Sequence, residues 1–530
     1  MTTTLRQLLL LAVILLATSA PLHAQTTPDW VTQTPNLTEI TPFEAENRLL
    51  DSLPTRPGVA VTTAGRSVEN RPIRVVHFHR PADTLPTAAN PSPARPFTIL
   101  LIGLQHGDEP AGREALLTLI TDLTNHPDRL PPNTDLWILP TANPDGLVNN
   151  TRRNANNVDL NRDHQILSQP ETQTLHRLAR TLTPDLIVDA HEFRRDTSDY
   201  TNQGWLEWPL IMLDTANHPL LPLPVYTHGL QLIESAKPLM QTHAVNYARY
   251  LIGDAPPQGE LRFSTLDPDD ARNGLAFHAG LSFIIESGIY RQHPNPQHNL
   301  TERTRAYRLL FHHLITAHTR HPNLIPQIRA AANQPLPNTI PTNTLWAEAL
   351  PESPDATPPA TPTIPVIDQA TGETLNVPAP GFRTTRVIKQ RVQTPRTYLI
   401  PAQHAPAYRQ LLDHHAIPYT IHPTPADPPH HLIEAVRLIT VSTNYDNLYH
   451  RYDGLQQTQV LTPTPSHTEL GLDQPGALRI DLRTMTPRDA RRTIAILEPR
   501  MAFGLYQWPT YRQAINPQTN LIPVYRILPE

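Results

Sequence analysis

The 530-residue chain has no cysteine. That absence excludes a disulfide framework, a lipid-bearing cysteine and any thiolate metal site. A bound metal must then be held by imidazole and carboxylate groups, a donor set suited to hydrolytic zinc. Lysine is nearly missing as well: Lys237 and Lys389 stand alone among 43 basic residues. A net charge of −5 supplies no basic field of the kind that attracts nucleic acid. Long apolar runs are also scarce. The stretch Leu8 to Ala17 is too short for a membrane span, which needs about 20 apolar residues. Preceded by Arg6 and followed by Ala24, it reads as a signal-peptide core with cleavage after Ala24. The expectation is an exported, periplasmic or secreted protein with no stable membrane insertion after cleavage. Oligomeric state is not legible.

Without disulfides, an exported chain must rely on its core, and this length is ample for two domains. From about residue 60 to 320, strand patterns alternate with helix patterns. Val75 to Phe78, Phe97 to Gly103, Leu136 to Leu139, Leu186 to Val188 and Leu281 to Ile285 read as apolar strands. Pro110 can open a helix whose Leu116, Leu119, Ile120 and Leu123 share one face. A second helix spans about Glu302 to His318, with Thr301 a candidate N-cap. This pattern predicts an α/β fold: a mixed, mostly parallel sheet sandwiched by helices. Residues 335–385 lose periodicity and turn Pro- and Thr-rich, as a linker or extended arm does. Order returns with strands near Tyr398, Pro418 to His422, Ala477 to Leu482 and Asn520 to Ile527. Helices at Ala405 to His415 and Arg488 to Leu497 complete a smaller α/β domain. The expected division is a signal peptide at 1–24, a catalytic domain at 25–334, the arm at 335–385 and an accessory domain at 386–530.

Chemistry-bearing residues cluster beyond the strand ends, where open α/β sheets bind ligands. HGDE places His106 and Glu109 three apart between a strand and a helix. A His followed by an acid at that spacing arises roughly once or twice by chance in such a chain. Here it precedes NPDG at 143–146, TRRN at 151–154, VDLNR at 158–162, DAHE at 189–192 and FIIES at 283–287. A catalytic zinc takes three protein ligands and keeps one open position, and His106, Glu109 and His191 can supply them. Glu286 ends an apolar strand, a costly place for a carboxylate without a task.

This ordered set resembles the zinc metallocarboxypeptidases, over roughly residues 60 to 320. GRSVENRPI at 65–73 is similar to that family's early strand signature. The resemblance implies one zinc ion held by His106, Glu109 and His191, with Asp159 orienting His106. It implies that Glu286 is the general base toward a zinc-activated water, and that Arg152, with Arg153 its adjacent competitor, stabilises the oxyanion. Asn161 and Arg162 would grip the free C-terminal carboxylate of a peptide from outside the cytoplasm or from the cell wall. The alternatives are an N-acyl amino-acid deacylase of the aspartoacylase or desuccinylase type and a non-catalytic binding protein on the same fold. The family's substrate-closing tyrosine finds no counterpart between Arg262 and Gly280, and Tyr290 is not assigned that role. Arg272 reads as a surface ion pair sooner than a specificity residue. Phe193 to Pro257, with Trp205 and Trp208, matches no motif placed above and is expected to shape the pocket; the pairs His312-His313, His414-His415 and His430-His431 read as solvated. The segments TPRTYLIPA, LLDHHAIPYTI and LEPRMAFGLYQW resemble an accessory domain of some bacterial members.

Overall fold

A computed structural model describes residues 28–529 except 33–36, 38, 54–56, 82–94, 349–359, 423–432, 441–444, 447–450, 453–456, 463, 467, 473 and 502–504. The expected signal peptide and His430-His431 lie outside the described residues.

The backbone of the fold is an eight-stranded sheet. Its strands are β1 (Val59–Arg66), β2 (Pro72–Arg80), β3 (Phe97–Gly103), β4 (Thr134–Leu139), β5 (Leu186–Arg194), β6 (Ile211–Thr215), β7 (Tyr247–Arg249) and β8 (Leu281–Ile289). They lie in the order β1-β2-β4-β3-β5-β8-β6-β7. The central ladders β4/β3, β3/β5 and β5/β8 are parallel, whereas β1/β2, β2/β4 and β8/β6 are antiparallel. Every residue of β3 is buried, as a strand covered on both faces requires. Helices α1 (Pro110–Asn125), α2 (Pro170–Leu182), α3 (Leu223–Thr242) and α4 (Pro296–Ile315) flank the sheet. The larger core joins Leu116, Ile120 and Leu123 of α1 to Leu309 and Phe311 of α4 over Ile99, Leu101, Val188 and Phe283. A smaller core under α2 joins Leu175 and Ala179 to Ile73, Val75, Leu100 and Ile102.

Two expectations are refined here. α4 starts earlier than Glu302: Asn295 caps it by accepting from the His298 amide, and Thr301 lies inside the helix. Phe193 to Pro257, unplaced in sequence, contributes β6, β7 and α3 to the main layer as well as Phe193, Arg194, Tyr250 and Ile252 to the cleft.

Residues 335–385, read as linker or arm, carry β9 (Thr339–Ala347), β10 (Thr363–Asp368) and β11 (Thr374–Pro378). β9 pairs with β12 (Thr385–Gln393), and β10 pairs with both β11 and the short strand Trp205–Glu207. Beyond them, β13 (Thr397–Ile400), β14 (Thr420–Ile421), β15 (Ile433–Glu434), β16 (Leu478–Asp481) and β17 (Tyr525–Ile527) form an antiparallel sheet ordered β14-β16-β13-β17-β15. Helices α5 (Ala405–His414) and α6 (Pro487–Leu497) pack on it. That core also takes in Ala216, Leu220, Leu221, Ala276 and Phe277, so the C-terminal layer shares apolar contacts with the first.

Candidate active site

The site forms where β3, β5 and β8 end. Leu104, buried with φ 55°, turns the chain out of β3, a backbone state that is uncommon for a leucine. Gln105 and His106 follow. Gly107 then lies against the backbone of Gly146, where an added Cβ would fall 2.0 Å from a carbonyl carbon. Only glycine fits that contact. NPDG is thus scaffold: Asn143 donates to the Gln105 carbonyl at 3.0 Å and caps its own short helix by accepting from Gly146 at 2.8 Å. Asp145 accepts from Ser67 Oγ, the Glu69 amide and Arg71, tying down the β1–β2 turn. The GRSVENRPI segment therefore serves as a brace.

His106, Glu109 and His191 converge. Glu109 Oε1 lies 2.8 Å from His106 Nδ1, Oε2 lies 3.0 Å from His191 Nδ1, and the two Nδ1 atoms are 3.1 Å apart. All three side chains are buried. Each imidazole turns its other nitrogen to a carboxylate: His106 Nε2 to Asp159 at 3.0 Å, His191 Nε2 to Asp189 at 2.6 Å. Those acceptors fix both rings with Nδ1 as the free donor, the outer arrangement typical of metal-bound histidines. Burial alone would raise the Glu109 and Asp159 carboxyls, yet the adjoining histidines, and Arg152 at Asp159, hold both below the usual range. Three converging N/O donors with satisfied outer partners fit a catalytic zinc with an open position.

Glu286 stands beside this triad, because parallel pairing puts it level with His191 on the neighbouring strand. It is buried, and burial pushes its carboxyl up to about 7. Arg152 reaches in from the opposite wall, donating to Asp159 at 2.9 Å and Glu109 at 3.1 Å. Arg153 turns away to the Asn157 carbonyl. Asn161 is pinned, its Oδ1 accepting from the Ala271 amide at 2.8 Å, and Arg162 donates to the Asn161 carbonyl at 2.7 Å. These residues line a cleft of about 540 Å³ together with Glu192, Tyr250 and Asp270. The structure thus gathers His106, Glu109, Arg152, Asn161, Arg162 and Glu286 around one cleft, with His191 and Asp159 in contact with its lining.

Tyr250 escaped the sequence reading because it lies upstream of the stretch between Arg262 and Gly280. It lines the cleft with Glu286; burial, with the nearby Glu286 carboxylate adding to it, raises its hydroxyl well above the ordinary value. Arg272 is not a surface residue. It is buried, and pairs with Asp270 at 2.9 Å and Asp214 at 3.7 Å. The histidine pairs also differ from expectation. His313 is buried and donates to the Leu232 carbonyl, and His415 does so to that of Gln165. A buried polar group needs such a partner.

Behind His191 runs a second histidine array. Asp189 Oδ2 accepts from Gln105 Nε2 at 2.7 Å; Gln105 Oε1 meets His164 Nε2 at 2.9 Å. His164 Nδ1 lies 3.1 Å from His176 Nε2, His176 Nδ1 lies 3.2 Å from His278 Nε2, and His278 Nδ1 lies 3.0 Å from Arg492 of α6. Arg492 can only donate, so each neutral imidazole accepts at Nδ1 and donates from Nε2 toward Asp189. Burial lowers all three histidines, His164 to about 4. One sign was available in sequence: Asp189 and His191 are two apart, hence on one face of β5.

Residues 47–184 match the peptidase M14 family, described as zinc carboxypeptidase. This stretch, about a quarter of the chain, holds HGDE, TRRN and VDLNR. Carboxypeptidase 2 of Trichophyton rubrum is 37% identical over 107 residues, 20% of this chain and 20% of its own. Carboxypeptidase SOL1 of Arabidopsis thaliana is 36% identical over 127 residues, 21% of this chain and 24% of its own. The chain therefore matches only about a fifth to a quarter of the length of these relatives. A metallo-carboxypeptidase from Burkholderia cenocepacia aligns in structure at 18% identity and a TM-score of 0.39, over 52% of this chain and 69% of its own.

Proposed function

We propose that this protein is an exported zinc metallocarboxypeptidase that hydrolyses the C-terminal peptide bond of extracytoplasmic or cell-wall peptides. The observation that carries the reading is one cleft holding a converging His-Glu-His triad, a carboxylate level with it, and Arg152 and Arg162. Export is supported by the apolar run Leu8 to Ala17 and Ala24.

Bound zinc would supply Lewis-acid polarisation of the attacking water and the scissile carbonyl. The rest is carried by side chains. Glu286, raised toward neutrality by burial, takes the proton of the attacking water and returns it to the departing amine nitrogen as the C–N bond breaks. Tyr250 lines the same cleft as Glu286, where its hydroxyl can donate to the substrate or to that carboxylate. Arg152 offers its fork to the carbonyl oxygen as negative charge develops there. Asn161 and Arg162 receive the substrate's terminal carboxylate, which a guanidinium can bind through two parallel hydrogen bonds.

The test compares kcat/KM for a free-acid peptide and its C-terminal amide, with wild type and Arg162→Ala. The free acid should be strongly preferred by wild type, and the variant should lose about 2–5 kcal/mol of that preference. Equal cleavage of both peptides by wild type would remove the carboxypeptidase reading and favour an amidase or deacylase.

A further inference from the structure

The even-numbered residues of β2, among them Val76 and Phe78, face the larger core, while the odd-numbered ones face α2. Ile73 and Val75 are buried beneath that helix, but the same face continues as His77 and His79, which emerge from cover. On the adjoining strand β4, antiparallel register sets Trp137 opposite His77 and Asp135 opposite His79. One oxygen of Asp135 meets both imidazoles: Oδ1 lies 3.1 Å from His77 Nε2 and 2.6 Å from His79 Nδ1. The His77 ring is stacked on Trp137 with centroids 3.9 Å apart and planes inclined by 9°.

The geometry points to a second, peripheral metal site in which His77 Nε2, His79 Nδ1 and an Asp135 oxygen bind one borderline divalent cation, Zn²⁺, Ni²⁺ or Cu²⁺. The donor atoms all lie within 4.8 Å of one another. A tetrahedral zinc with bonds of about 2.0–2.1 Å sets its donors roughly 3.3 Å apart, so side-chain shifts of under about 1 Å at the two Asp135 contacts make room for an ion. Two imidazoles favour such cations over Mg²⁺ or Ca²⁺, which prefer all-oxygen sites.

Three features separate this trio from an ordinary surface ion pair. Both strands are interior to the sheet, β2 between β1 and β4, and β4 between β2 and β3, so the donors stand on a rigid ladder rather than on loops. Stacking on Trp137 fixes the His77 ring. The donors are also partly open, with side-chain exposures of 25%, 38% and 23% for His77, His79 and Asp135, which leaves room for water in the remaining positions. The cation would not take part in hydrolysis. β4 runs parallel to β3, so Asp135 near the start of β4 lies at the opposite end of the sheet from the loop after β3 that carries His106. The buried array His164–His176–His278 lacks this capacity, since its nitrogens are joined end to end and closed by the Arg492 cation.

The full-length protein, first saturated with zinc and desalted, should be equilibrated with low micromolar Zn²⁺ and its metal content determined. Two ions per chain are expected for wild type, and one for Asp135→Asn and for His77→Ala/His79→Ala, with peptide hydrolysis unchanged. Ni²⁺ or Cu²⁺ added to the zinc-loaded protein should quench the Trp137 share of the fluorescence in a saturable way. Apparent affinity should weaken in the variants by at least roughly 10–100-fold, the loss that removal of even an outer-sphere partner brings. His79→Gln, at the most open position, provides a variant that leaves the Trp137 stack in place. A single ion in wild type, or quenching curves that superimpose for wild type and His79→Gln, would overturn the site.

Discussion

Two buried histidine groups lie back to back, joined through Asp189, and they differ in where their lone pairs point. In the first, the Nδ1 atoms of His106 and His191 and the Glu109 carboxylate face a common point, while Asp159 and Asp189 occupy the outer nitrogens. In the second, each imidazole of His164, His176 and His278 spends its lone pair on the N–H of the next. Residue type and burial are the same in both. What makes one a metal site and the other a strut is the anion count: two carboxylates back the first group, and a guanidinium terminates the second. A neutral imidazole has one donor and one acceptor, so a carboxylate behind it frees the lone pair for a metal, and an arginine behind it consumes that lone pair.

The sharpest way to break this comparison is substitution within each group. In an Asp135→Asn background, His191→Ala should abolish the zinc of the cleft and with it turnover, whereas His176→Ala should destabilise the fold yet keep that zinc. Elemental analysis of both variants decides it, and zinc lost equally from the two would mean that the groups are not separable. Next in size is Glu286→Gln, which keeps shape and zinc but cannot accept a proton. A fall of about 10²–10⁴-fold in kcat is expected, with metal content and melting temperature near those of wild type.

Acid should also separate them. Burial lowers His164, His176 and His278, so the folded state keeps them neutral while the unfolded chain protonates them near 6.5. Below that pH the unfolded state binds more protons, so stability falls as pH drops from about 6.5 toward 4, where His164 itself titrates. Above 6.5 the three contribute no slope. The loss is about 1.4 kcal/mol per pH unit for each such histidine, measurable by denaturant unfolding at pH 7 and 5. His176→Phe should flatten the profile; an unchanged slope would contradict neutral burial.

Much of this arrangement was readable along the chain where it depended on local pattern. β3, covered on both faces, is an apolar run interrupted only by Thr98, and Pro110 marks the start of α1 as expected. HGDE and DAHE pointed to donors that do come together, because each sits at the end of a strand whose direction is set by the parallel ladder, and VDLNR supplies Asp159 from a helical turn outside the sheet. What escaped depends on contacts remote in sequence. Arg272 looks like a surface charge until Asp214, from the remote strand β6, is placed beside it. His415 looks solvated until Gln165 meets it across the shared apolar interface. Tyr250 follows β7 at the sheet's edge and reaches Glu286 only once β6 and β8 are paired. The strands within 335–385 are equally non-local: β10 is completed by Trp205–Glu207, a partner that no window around a Pro-rich stretch reveals.

The smallest expected effect sharpens the comparison most, because it tests the far end of the strut. Arg492 is buried on α6, and its Nη1 donates to His278 at 3.0 Å while Nη2 pairs with Asp489 at 2.8 Å. Arg492→Met keeps most of the length and apolar volume but removes the donor, leaving His278 Nδ1 a buried acceptor without its partner. Stranding such a group costs about 1–3 kcal/mol, so urea unfolding should shift by that amount. Zinc content should stay at one ion in the His106–Glu109–His191 site, because Asp189 and Asp159 still hold its rings. Arg492→Lys can donate again from a shorter reach and should recover part of the loss. If Arg492→Met instead unfolds like wild type, His278 has turned to another donor, and the end-to-end array is not fixed by the C-terminal layer.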